Sequence, residues 1–554
     1  MILGCPNQDA DHIFPLGILD HSQNIDSLLY CNFGWRARGI FIDVKKQDLP
    51  TPKHNIFFGH LLTLKTYIDK LPKDAHPFIA FGQMARNFSG GIFYLDMWPF
   101  MDPVLMCTSA TAAIETTQKT VLATKKPRSL ESWFIPIAGG PNLFTMEEDD
   151  WRFWRNTFNP GFSQAHIMKL VPSIVHEVKA YQKLLLEYSE KKEMFLLDEV
   201  TLWFTMDMIG AIVLLDSKRT KNPLAVALLS QLRWKLSEQE LNPLKRWNPI
   251  RPIVEWHNSR QMNNYIGKEL DKRYQDYLSK IKRGDNVRSN SVISLVLEGY
   301  LKQSQSKKPS ITLEKRFKSY ATYQIRTFLF AGHDTTSSTI CYIFYLLAKN
   351  PVAMDKIRHE HDNILGAELD AAPKVITENP QILNQLTYTF AVIKESMRLF
   401  PAASSIRQGV EGVSIRDDEG RTYPTGNTMV WILHQAMQRD PRYWAQPNDF
   451  IPERWLAAPG DPLYPVKGAW RPFEFGPRNC IGQGLVMIEL RIILALVIRQ
   501  FDVRDAYEEF DRLNPRSGGI VMVEGERAYQ IEGGGAHPAD RFPCRVSLRK
   551  QGAL

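Results

Sequence analysis

The sequence predicts a large protein that is mainly α-helical and carries a smaller β-rich lobe. Long stretches with helical periodicity and few breakers fill much of the chain, whereas short β-prone runs are bounded by Pro and Gly. The 554 residues, 44% of them hydrophobic, are enough to bury a sizeable core. Because no internal repeat and no Pro/Gly/Ser linker divides the chain, we expect one large domain.

The N-terminal half combines two short strands with long helices. Strands are predicted at Ile92–Leu95 and Val104–Cys107, on either side of a proline-containing turn. Residues 165–215 show helical periodicity with few breakers. Residues 260–285 are charged and amphipathic, which is typical of a surface helix.

Two further helices are predicted in the C-terminal half. The longer one covers residues 313–348, from a cap at Thr312 to a stop at Pro351. The other covers residues 383–400 and ends before a proline. The remaining predicted elements are short strands at Val413–Ile415 and Met429–Ile432, and strands and turns over residues 518–549.

Composition excludes several classes of function. The net charge is +8, but no block of Lys and Arg indicates a nucleic-acid-binding tail. A mild positive excess is usually a solvated surface, and the functional alternative is docking of an acidic electron-transfer partner. The six cysteines contain no CxxC pair, which argues against zinc and redox-disulfide sites and suits a reducing compartment.

The most informative stretch is FEFGPRNCIG, residues 473–482, which presents one cysteine after a turn and just before an apolar helical run. A thiolate at Cys480 would lie at a helix N-terminus, where the dipole and free N–H groups favour negative charge. Such a thiolate is a strong ligand for haem iron. Phe473 can pack beside it, and Gly476 and Gly482 let the backbone approach. The alternative is a buried free cysteine in a loop.

A second stretch, AGHDTT at residues 331–336, lies midway along the long predicted helix. Gly and consecutive Thr are poor helix-interior residues, and a Thr hydroxyl can bond to the carbonyl one turn back. We therefore expect a local distortion of the helix. Asp334 beside Thr335 supplies an acid and an alcohol, which together can deliver protons. The alternative is an ordinary N-cap at Asp334.

These two stretches resemble motifs of the cytochrome P-450 family. The order Phe-x-x-Gly-x-Arg-x-Cys-x-Gly resembles its haem-binding loop, and Ala-Gly-x-Asp-Thr-Thr resembles its oxygen-activation motif. The resemblance covers about residues 47–550 and implies the cytochrome P-450 fold, with haem b (iron protoporphyrin IX) as cofactor. It implies that Cys480 is the axial iron ligand and that Arg478 reaches a haem propionate. It also implies that Thr335 assists oxygen activation while Asp334 relays protons from solvent.

A third motif implies a structural role. Glu395 and Arg398 share one face of a helix, where an exposed pair would be worth only a few tenths of a kcal/mol. The segment FIPERW, which ends in Arg454 and Trp455, resembles the family segment whose arginine joins this pair. The resemblance implies a buried triad of Glu395, Arg398 and Arg454 that fixes the loop presenting the thiolate.

A fourth motif implies further contacts to the propionates. Trp151 and Arg155 match the family's Trp-x-x-x-Arg helix, for which simple packing of the tryptophan is the alternative. Arg407 matches another propionate-binding arginine. His434 is more often a satisfied structural residue, so it is left out of the predicted site. His333 occupies a variable position of its motif, and as an iron ligand it would block oxygen.

Residues 1–46 form an atypical N-terminal segment, ahead of a haem–thiolate domain over residues 47–554. Eukaryotic members of the family usually begin with a transmembrane anchor, yet no run of about 18 apolar residues occurs here. The apolar stretch Ile13–Leu19 is too short to span a membrane and lacks the flanks of a secretory signal. Either the segment lies on a membrane without crossing it, or the gene model has a wrong first exon.

The resemblance implies a haem-dependent monooxygenase that inserts one atom of O2 into an apolar substrate. No flavin or nicotinamide domain follows, so electrons are expected from NADPH–cytochrome P-450 reductase, with cytochrome b5 as a second donor. We expect the protein on the cytoplasmic side, associated with the endoplasmic reticulum, with peripheral membrane contact. One rival is a haem–thiolate isomerase or dehydratase, whose members commonly lose the acid–alcohol pair. The other is a non-enzymatic haem sensor.

The C-terminal stretch over residues 523–547 resembles filamentous-fungal members, many of which act in secondary metabolism. The regions expected to contact substrate are residues 128–146, Ile212–Leu214 and Ser404–Ile406. They vary by nature, so the substrate itself cannot be read from the sequence.

Overall fold

The computed structural model describes most of the chain between residues 39 and 549. The described ranges are 39–98, 100–214, 222–235, 248–283, 291–303, 312–516 and 519–549. The predicted N-terminal segment 1–46 therefore lies largely outside the described residues, and only its last helical turns, from residue 39, belong to them. Within the described ranges, a helical body carries four small sheets, which agrees with the predicted fold class.

Helices make up most of the described chain. In chain order, after a helix over residues 39–46, the α-helices are Leu61–Ile68, Pro77–Ala85, Ala110–Ile114, Ser129–Ala138, Glu148–Phe158, Gln164–Lys191, Leu197–Leu214, Pro223–Trp234, Ile250–Arg283, Val292–Gln303, Lys315–Lys349, Pro351–Leu365, Ala372–Glu378, Thr387–Leu399, His434–Met437, Gln483–Val497 and Tyr507–Leu513. A π-helical turn at Glu115–Lys119 continues the helix that ends at Ile114. Short 3₁₀ turns are Val121–Thr124, Asn159–Phe162, Leu369–Ala371, Pro380–Gln385, Pro452–Trp455 and Ala539–Arg541.

The largest sheet has four strands, in the order Ile92–Leu95, Val104–Cys107, Met429–Ile432 and Ser405–Gln408. Its first and last pairs are antiparallel, and the central pair is parallel. A second sheet joins Phe195–Leu196, Pro543–Leu548 and Phe501–Asp505 in that order. Two hairpins complete the set, Ser414–Arg416 with Thr422–Pro424, and Gln530–Glu532 with Ala536–Pro538.

Most element predictions are confirmed, and the exceptions have local causes. The predicted helical stretch 165–215 is two helices, because a strand at Phe195–Leu196 pairs with the C-terminal strand and divides them. The helix predicted from residue 383 begins at Thr387, because the 3₁₀ turn Pro380–Gln385 precedes it. The predicted cap at Thr312 is wrong, since Glu314 occupies the N-cap position without a side-chain hydrogen bond.

The helix Lys315–Lys349, here called the central helix, runs through the middle of the main core. Nearly all of its side chains from Ala321 onward are buried, polar ones such as Arg326 and Asp334 included, which explains its weak amphipathic pattern. It packs closely on the helix Leu197–Leu214 at Gly332, where an added Cβ would lie 2.8 Å from the side chain of Ile209. Gly332 therefore permits this approach. No helix among the described residues combines the length and apolar character needed to cross a bilayer.

Candidate active site

The loop of residues 473–482, here called the Cys480 loop, is folded by its own backbone. The Cys480 N–H donates to the Phe473 carbonyl over 2.8 Å, which closes the turn. Gly476 has φ +81°, and an added Cβ would lie 1.9 Å from the Thr117 carbonyl oxygen, so only glycine fits. Gly482 is the N-cap residue of the following helix, where an added Cβ would lie 3.9 Å from the Cys480 sulfur, an ordinary contact distance.

The Cys480 thiol has the polar surroundings expected for a sulfur ligand at the N-terminus of a helix. Burial raises its pKa, while the backbone N–H groups of Gly482 and Gln483 and the Arg155 guanidinium oppose that shift. A metal ion deprotonates a coordinating thiol outright, so these N–H groups would serve the thiolate. Neighbouring protein thus surrounds the thiol closely enough to raise its pKa, but the side chain remains accessible to solvent and lines a cavity of about 450 Å³.

A buried ion cluster anchors the loop from one side. Arg471 donates from Nε to Glu474 over 2.6 Å and from Nη2 to the Thr117 hydroxyl over 2.6 Å. The His434 ring lies 3.2 Å from the other Glu474 oxygen. Burial raises the pKa of Glu474, but the hydrogen bond from His434 and the nearby arginines bring it well below its usual range. His434 is thus a structural residue, as predicted, although its partner Glu474 was not foreseen.

The structure brings together Glu395, Arg398 and Arg454, which are all fully buried. Arg398 donates from Nε and Nη2 to the two Glu395 oxygens over 2.9 and 2.8 Å, and Arg454 Nε donates to Oε1 over 3.0 Å. The Trp455 indole N–H and the Ile451 backbone N–H also donate hydrogen bonds to the Glu395 carboxylate. The remaining Arg398 N–H groups donate to three loop carbonyls, those of Gln438, Pro447 and Asp449.

Three cations converge near the Cys480 loop, and none of their side chains donates a hydrogen bond to a carboxylate of the described residues. Burial and the charges of Arg407 and Arg478 lower the pKa of Lys126, against the opposing charge of Glu474. Burial lowers the pKa of Arg407 to about 10, with Glu474 opposing the shift and Arg471 adding to it. Burial and the charge of Arg407 lower the pKa of Arg478 to about 9, and Glu147 opposes that shift. Arg407 Nη2 and Arg478 Nε are buried without a hydrogen-bond partner. Lys126, which carried no motif, was missed by the sequence analysis.

The predicted pair Trp151 and Arg155 lies on the helix Glu148–Phe158, next to the Cys480 loop. Arg155 donates two hydrogen bonds of 2.9 Å to the backbone and side-chain oxygens of Asn479, inside the Cys480 loop. The Trp151 ring is covered by the Arg478 guanidinium, whose carbon lies 4.5 Å from the ring centroid. The structure thus places Arg155 on the loop that holds the thiol.

Asp334 and Thr335 lie near the middle of the central helix, which excludes an N-cap at Asp334. The Thr335 hydroxyl donates to the Ala331 carbonyl over 2.8 Å, as predicted, yet the helix continues without a break. The expected distortion is therefore absent from this helix, because Thr335 shares a carbonyl without displacing its backbone bond. Asp334 is buried, and its carboxylate contacts His537 and the Gly535 N–H.

Comparisons with known proteins decide the family. The family model for cytochrome P-450 matches residues 49–531. The chain is 37% identical over 519 residues to cytochrome P-450 monooxygenase polC of Polytolypa hystricis, covering 93% of this chain and 92% of that protein. It is 31% identical to cytochrome P-450 monooxygenase acrF of Aspergillus aculeatus, covering 87% and 99%.

The chain belongs to the cytochrome P-450 family. The fold of a crystal structure of the cytochrome P-450DA haem domain matches it with a TM-score of 0.67 at 19% identity, over 90% of this chain and 98% of that one. The protein is a haem-dependent monooxygenase, and the predicted likeness to fungal cytochrome P-450 monooxygenases of secondary metabolism is confirmed.

The residues near the Cys480 loop fit a haem b group. Its two propionates would bring negative charge to Lys126, Arg407 and Arg478, whose own surroundings leave two buried N–H groups without acceptors. The accessible Cys480 sulfur would supply a thiolate to the iron. When bound, the haem supplies the oxidation chemistry, and the protein residues bind and orient it.

Two of the three predicted substrate-contact regions lie against the central helix, and the third belongs to the four-stranded sheet. The helix Ser129–Ala138 packs on it through Phe134 and Phe330, whose ring centroids are 6.2 Å apart. Ile212–Leu214 is buried at the end of the helix that crosses Gly332. Ser405 and Ile406 belong to a strand, where the Ser405 hydroxyl accepts from Arg407 over 2.8 Å.

His333 is turned back on its own helix. Its Nδ1 lies 2.7 Å from the Leu329 carbonyl oxygen, and burial lowers the pKa of the ring. This internal contact agrees with the expectation that His333 is no iron ligand.

Proposed function

We propose that this monooxygenase uses Cys480 as the axial haem ligand and Asp334 with Thr335 as its proton-delivery pair. In this proposal Phe473, Gly476 and Gly482 shape the ligand loop, and the triad of Glu395, Arg398 and Arg454 holds it in place. The contacts that hold propionates are assigned to Arg407, Arg478 and Trp151, joined by Lys126, while Arg155 acts on the loop itself. The haem domain is assigned to residues 47–554.

The observation that carries the oxygenase function is the acid–alcohol pair in the central helix. Thr335 presents a hydroxyl one turn after Ala331, and its neighbour Asp334 is buried but belongs to a chain of ionisable groups. A positioned acid and alcohol can deliver protons in a site that otherwise excludes water. A haem–thiolate isomerase has no need of such delivery, so the pair favours oxygen activation over that rival.

The electron donor is proposed to be NADPH–cytochrome P-450 reductase, with cytochrome b5 as a second donor. The cavity beside Cys480 is lined by Arg155 and Arg491 together with uncharged residues, and no Asp or Glu contributes to it. A positive face near the thiolate suits an acidic electron-transfer partner. A separate reductase on the endoplasmic reticulum would also place this protein on the cytoplasmic side, in peripheral contact with the membrane.

The substrate is proposed to be an apolar small molecule of fungal secondary metabolism. The rings of Trp133, Phe134 and Phe330 meet beside the central helix, and apolar, aromatic linings are typical of sites for such ligands. Nucleic acid has no role in this proposal.

The test is the substitution Thr335→Ala, studied with reductase, NADPH and a substrate that screening has shown the wild type to oxidise. We expect NADPH consumption to continue while product per NADPH falls about 100-fold and peroxide appears, because proton delivery contributes about 10² to 10⁴ to such steps. Thr327→Ala is the matched control, since the Thr327 hydroxyl makes the same 2.8 Å bond one turn back on the same helix. Equal coupling in both variants would remove the role of Thr335.

A further inference from the structure

A buried histidine near the C-terminus lies between two buried carboxylates. His537 Nδ1 lies 2.7 Å from Asp198 Oδ1, and its Nε2 lies 3.2 Å from Asp334 Oδ1. His537 and Asp198 are fully buried, and Asp334 is 1% exposed. The three residues come from the hairpin Ala536–Pro538, the helix Leu197–Leu214 and the central helix, so the contact joins three elements.

Asp198 is the fixed member of this cluster. Besides His537, it accepts from Arg541 Nη1 over 2.7 Å and from the Ser337 hydroxyl over 3.3 Å. Ser337 in turn shares a 2.6 Å hydrogen bond with Thr201. Burial raises the pKa of Asp198, but His537 and Arg541 bring it down to about 2. Asp198 therefore remains a carboxylate, and Arg541, which is 35% exposed, links it to the surface.

Asp334 is the member that has a role in the proposed function. Its Oδ2 accepts from the Gly535 N–H over 2.5 Å. An added Cβ at Gly534 or Gly535 would lie 2.7 or 2.8 Å from its carboxylate oxygens, and Gly534 has φ +116°. The run Gly533–Gly535 is thus a turn shaped around the Asp334 carboxylate, and both carboxylate oxygens contact the C-terminal hairpin.

The charges of the cluster balance when His537 is protonated. Two carboxylates then face one imidazolium and the Arg541 guanidinium. Burial lowers the pKa of His537, but Asp198 and Asp334 outweigh it and raise the pKa to about 10. The other titratable groups near the ring are His333 on the central helix and His76 before the helix Pro77–Ala85, and burial lowers the pKa of both.

We propose that His537 is a positioning residue for the proton-delivery pair: held by Asp198, its ring fixes the direction of the Asp334 carboxylate against the triple-glycine turn. This inference rests on the proposed function, because it assigns a task to His537 only if Asp334 delivers protons. The His537 ring lies 3.2 Å from the Asp334 carboxylate but only 2.7 Å from that of Asp198. Asp334 is therefore the carboxylate that can move away from His537. His537 would thus set how readily Asp334 turns towards Thr335.

The first test is a double-mutant cycle of His537→Gln and Asp334→Asn in the haem-loaded enzyme. Glutamine keeps a hydrogen-bonding group but removes the cation, which leaves the buried Asp334 without a charged partner. We expect product per NADPH to fall about tenfold in H537Q, as for other groups that orient a reacting one. In the D334N background, H537Q should change coupling by less than about twofold. Unchanged coupling in H537Q, or additive losses, would overturn the proposal.

A second readout needs no turnover. A histidine whose folded pKa is about 10 and whose unfolded pKa is about 6.5 adds stability below pH 6.5 and loses it as pH rises through 10. The stability difference between wild type and H537Q should therefore shrink from pH 7 to pH 10. His361→Gln is the matched control: His361 is buried against Thr389, and burial lowers its pKa to about 3, so its difference should stay constant.

The substitution Asp334→Asn extends this readout if H537Q does not fold. Removing one of the two carboxylates should lower the pKa of His537 and move the loss of stability to lower pH. A D334N curve that superimposes on the wild-type curve would contradict the ion pair. A wild type that forms no product with reductase would instead refute the proposed function, while the pH curves would still report on the pair.

Discussion

Two clusters of buried charge near the haem site are built in opposite ways. In the Glu395 cluster, made of Glu395, Arg398 and Arg454, one carboxylate receives bonds from two guanidiniums, an indole and a backbone N–H. In the cationic cluster of Lys126, Arg407 and Arg478, two buried N–H groups have no acceptor. Arg454 Nη1 also lacks a hydrogen-bond partner, so the contrast lies in the carboxylate. The arginines of the Glu395 cluster share one, whereas the side chains of the cationic cluster donate to no carboxylate of the described residues, which is the charge pattern of a binding site for an anion.

This difference indicates which charged residues stabilise the fold and which bind the cofactor. Removing one partner of a buried ion pair leaves an uncompensated charge and costs several kcal/mol. Removing one of several like charges relieves repulsion, and its cost appears only when the anionic ligand is bound. The two clusters should therefore respond differently to substitution in the haem-free and haem-bound proteins.

The largest effect is expected for Glu395→Gln. Two fully buried arginines would lose the carboxylate that they share, so the free energy of unfolding should fall by about 3–5 kcal/mol with or without haem. Denaturant unfolding of both forms measures this. Asp69→Asn is the control, since its pair with Lys65 is exposed and should contribute under about 1 kcal/mol. A loss confined to the haem-bound form would place Glu395 with the cofactor-binding charges.

A smaller effect on the fold is expected for Gly476→Ala. The methyl group would meet the Thr117 carbonyl at a backbone angle of +81°, which costs about 1–3 kcal/mol and moves the Cys480 loop. Gly482→Ala is the matched control, because its added Cβ would have the Cys480 sulfur, at 3.9 Å, as its one neighbour within 4 Å. Unfolding and haem retention of both variants provide the measurement. Equal losses would show that the Thr117 contact is unimportant.

The smallest effect on the fold is expected for Lys126→Met, which should also give the clearest difference between the haem-free and the haem-bound protein. Burial and the charges of Arg407 and Arg478 push the pKa of Lys126 well below its usual value, so removing this amine should leave the haem-free protein equally or more stable. The haem-bound protein should lose haem about tenfold faster, the value of one hydrogen bond to a charged group. Competition for haem with apomyoglobin gives the rate. A destabilised haem-free protein with normal retention would reverse the assignment.

Local spacing explains why so much of the site could be predicted. The Cys480 loop is bonded within itself, from Cys480 to Phe473, so its sequence already contains its geometry. The sheet strands Ile92–Leu95 and Met429–Ile432 were likewise predicted to the residue, because each is a short β-prone run with clear boundaries. Glu395 and Arg398 lie one turn apart on a helix, so their spacing already predicted an ion pair. The spacing does not show whether that pair is an exposed surface pair or a buried structural one.

Long-range contacts explain what could not be predicted. His537 is 203 residues from Asp334, and neither lies in a repeated spacing that would connect them. The one signal was the run Gly533–Gly535, which reads as a loop until the Asp334 carboxylate is seen against it. Lys126 also carried no signal in the sequence, because a lysine beside a proline is normally a solvent-exposed loop residue. Only the fold places it next to Arg407 and Arg478.

The most direct test of the account is the reduced carbon-monoxide difference spectrum of the wild type and of Cys480→Ala, with Cys107→Ala as control. Cys107 is a free, fully buried thiol in a strand, so its loss should leave the spectrum unchanged. The account predicts a thiolate-type Soret band in the wild type and in C107A, and its loss in folded C480A. An imidazole-type band in the wild type, or a thiolate band that survives in C480A, would contradict Cys480 as the axial ligand.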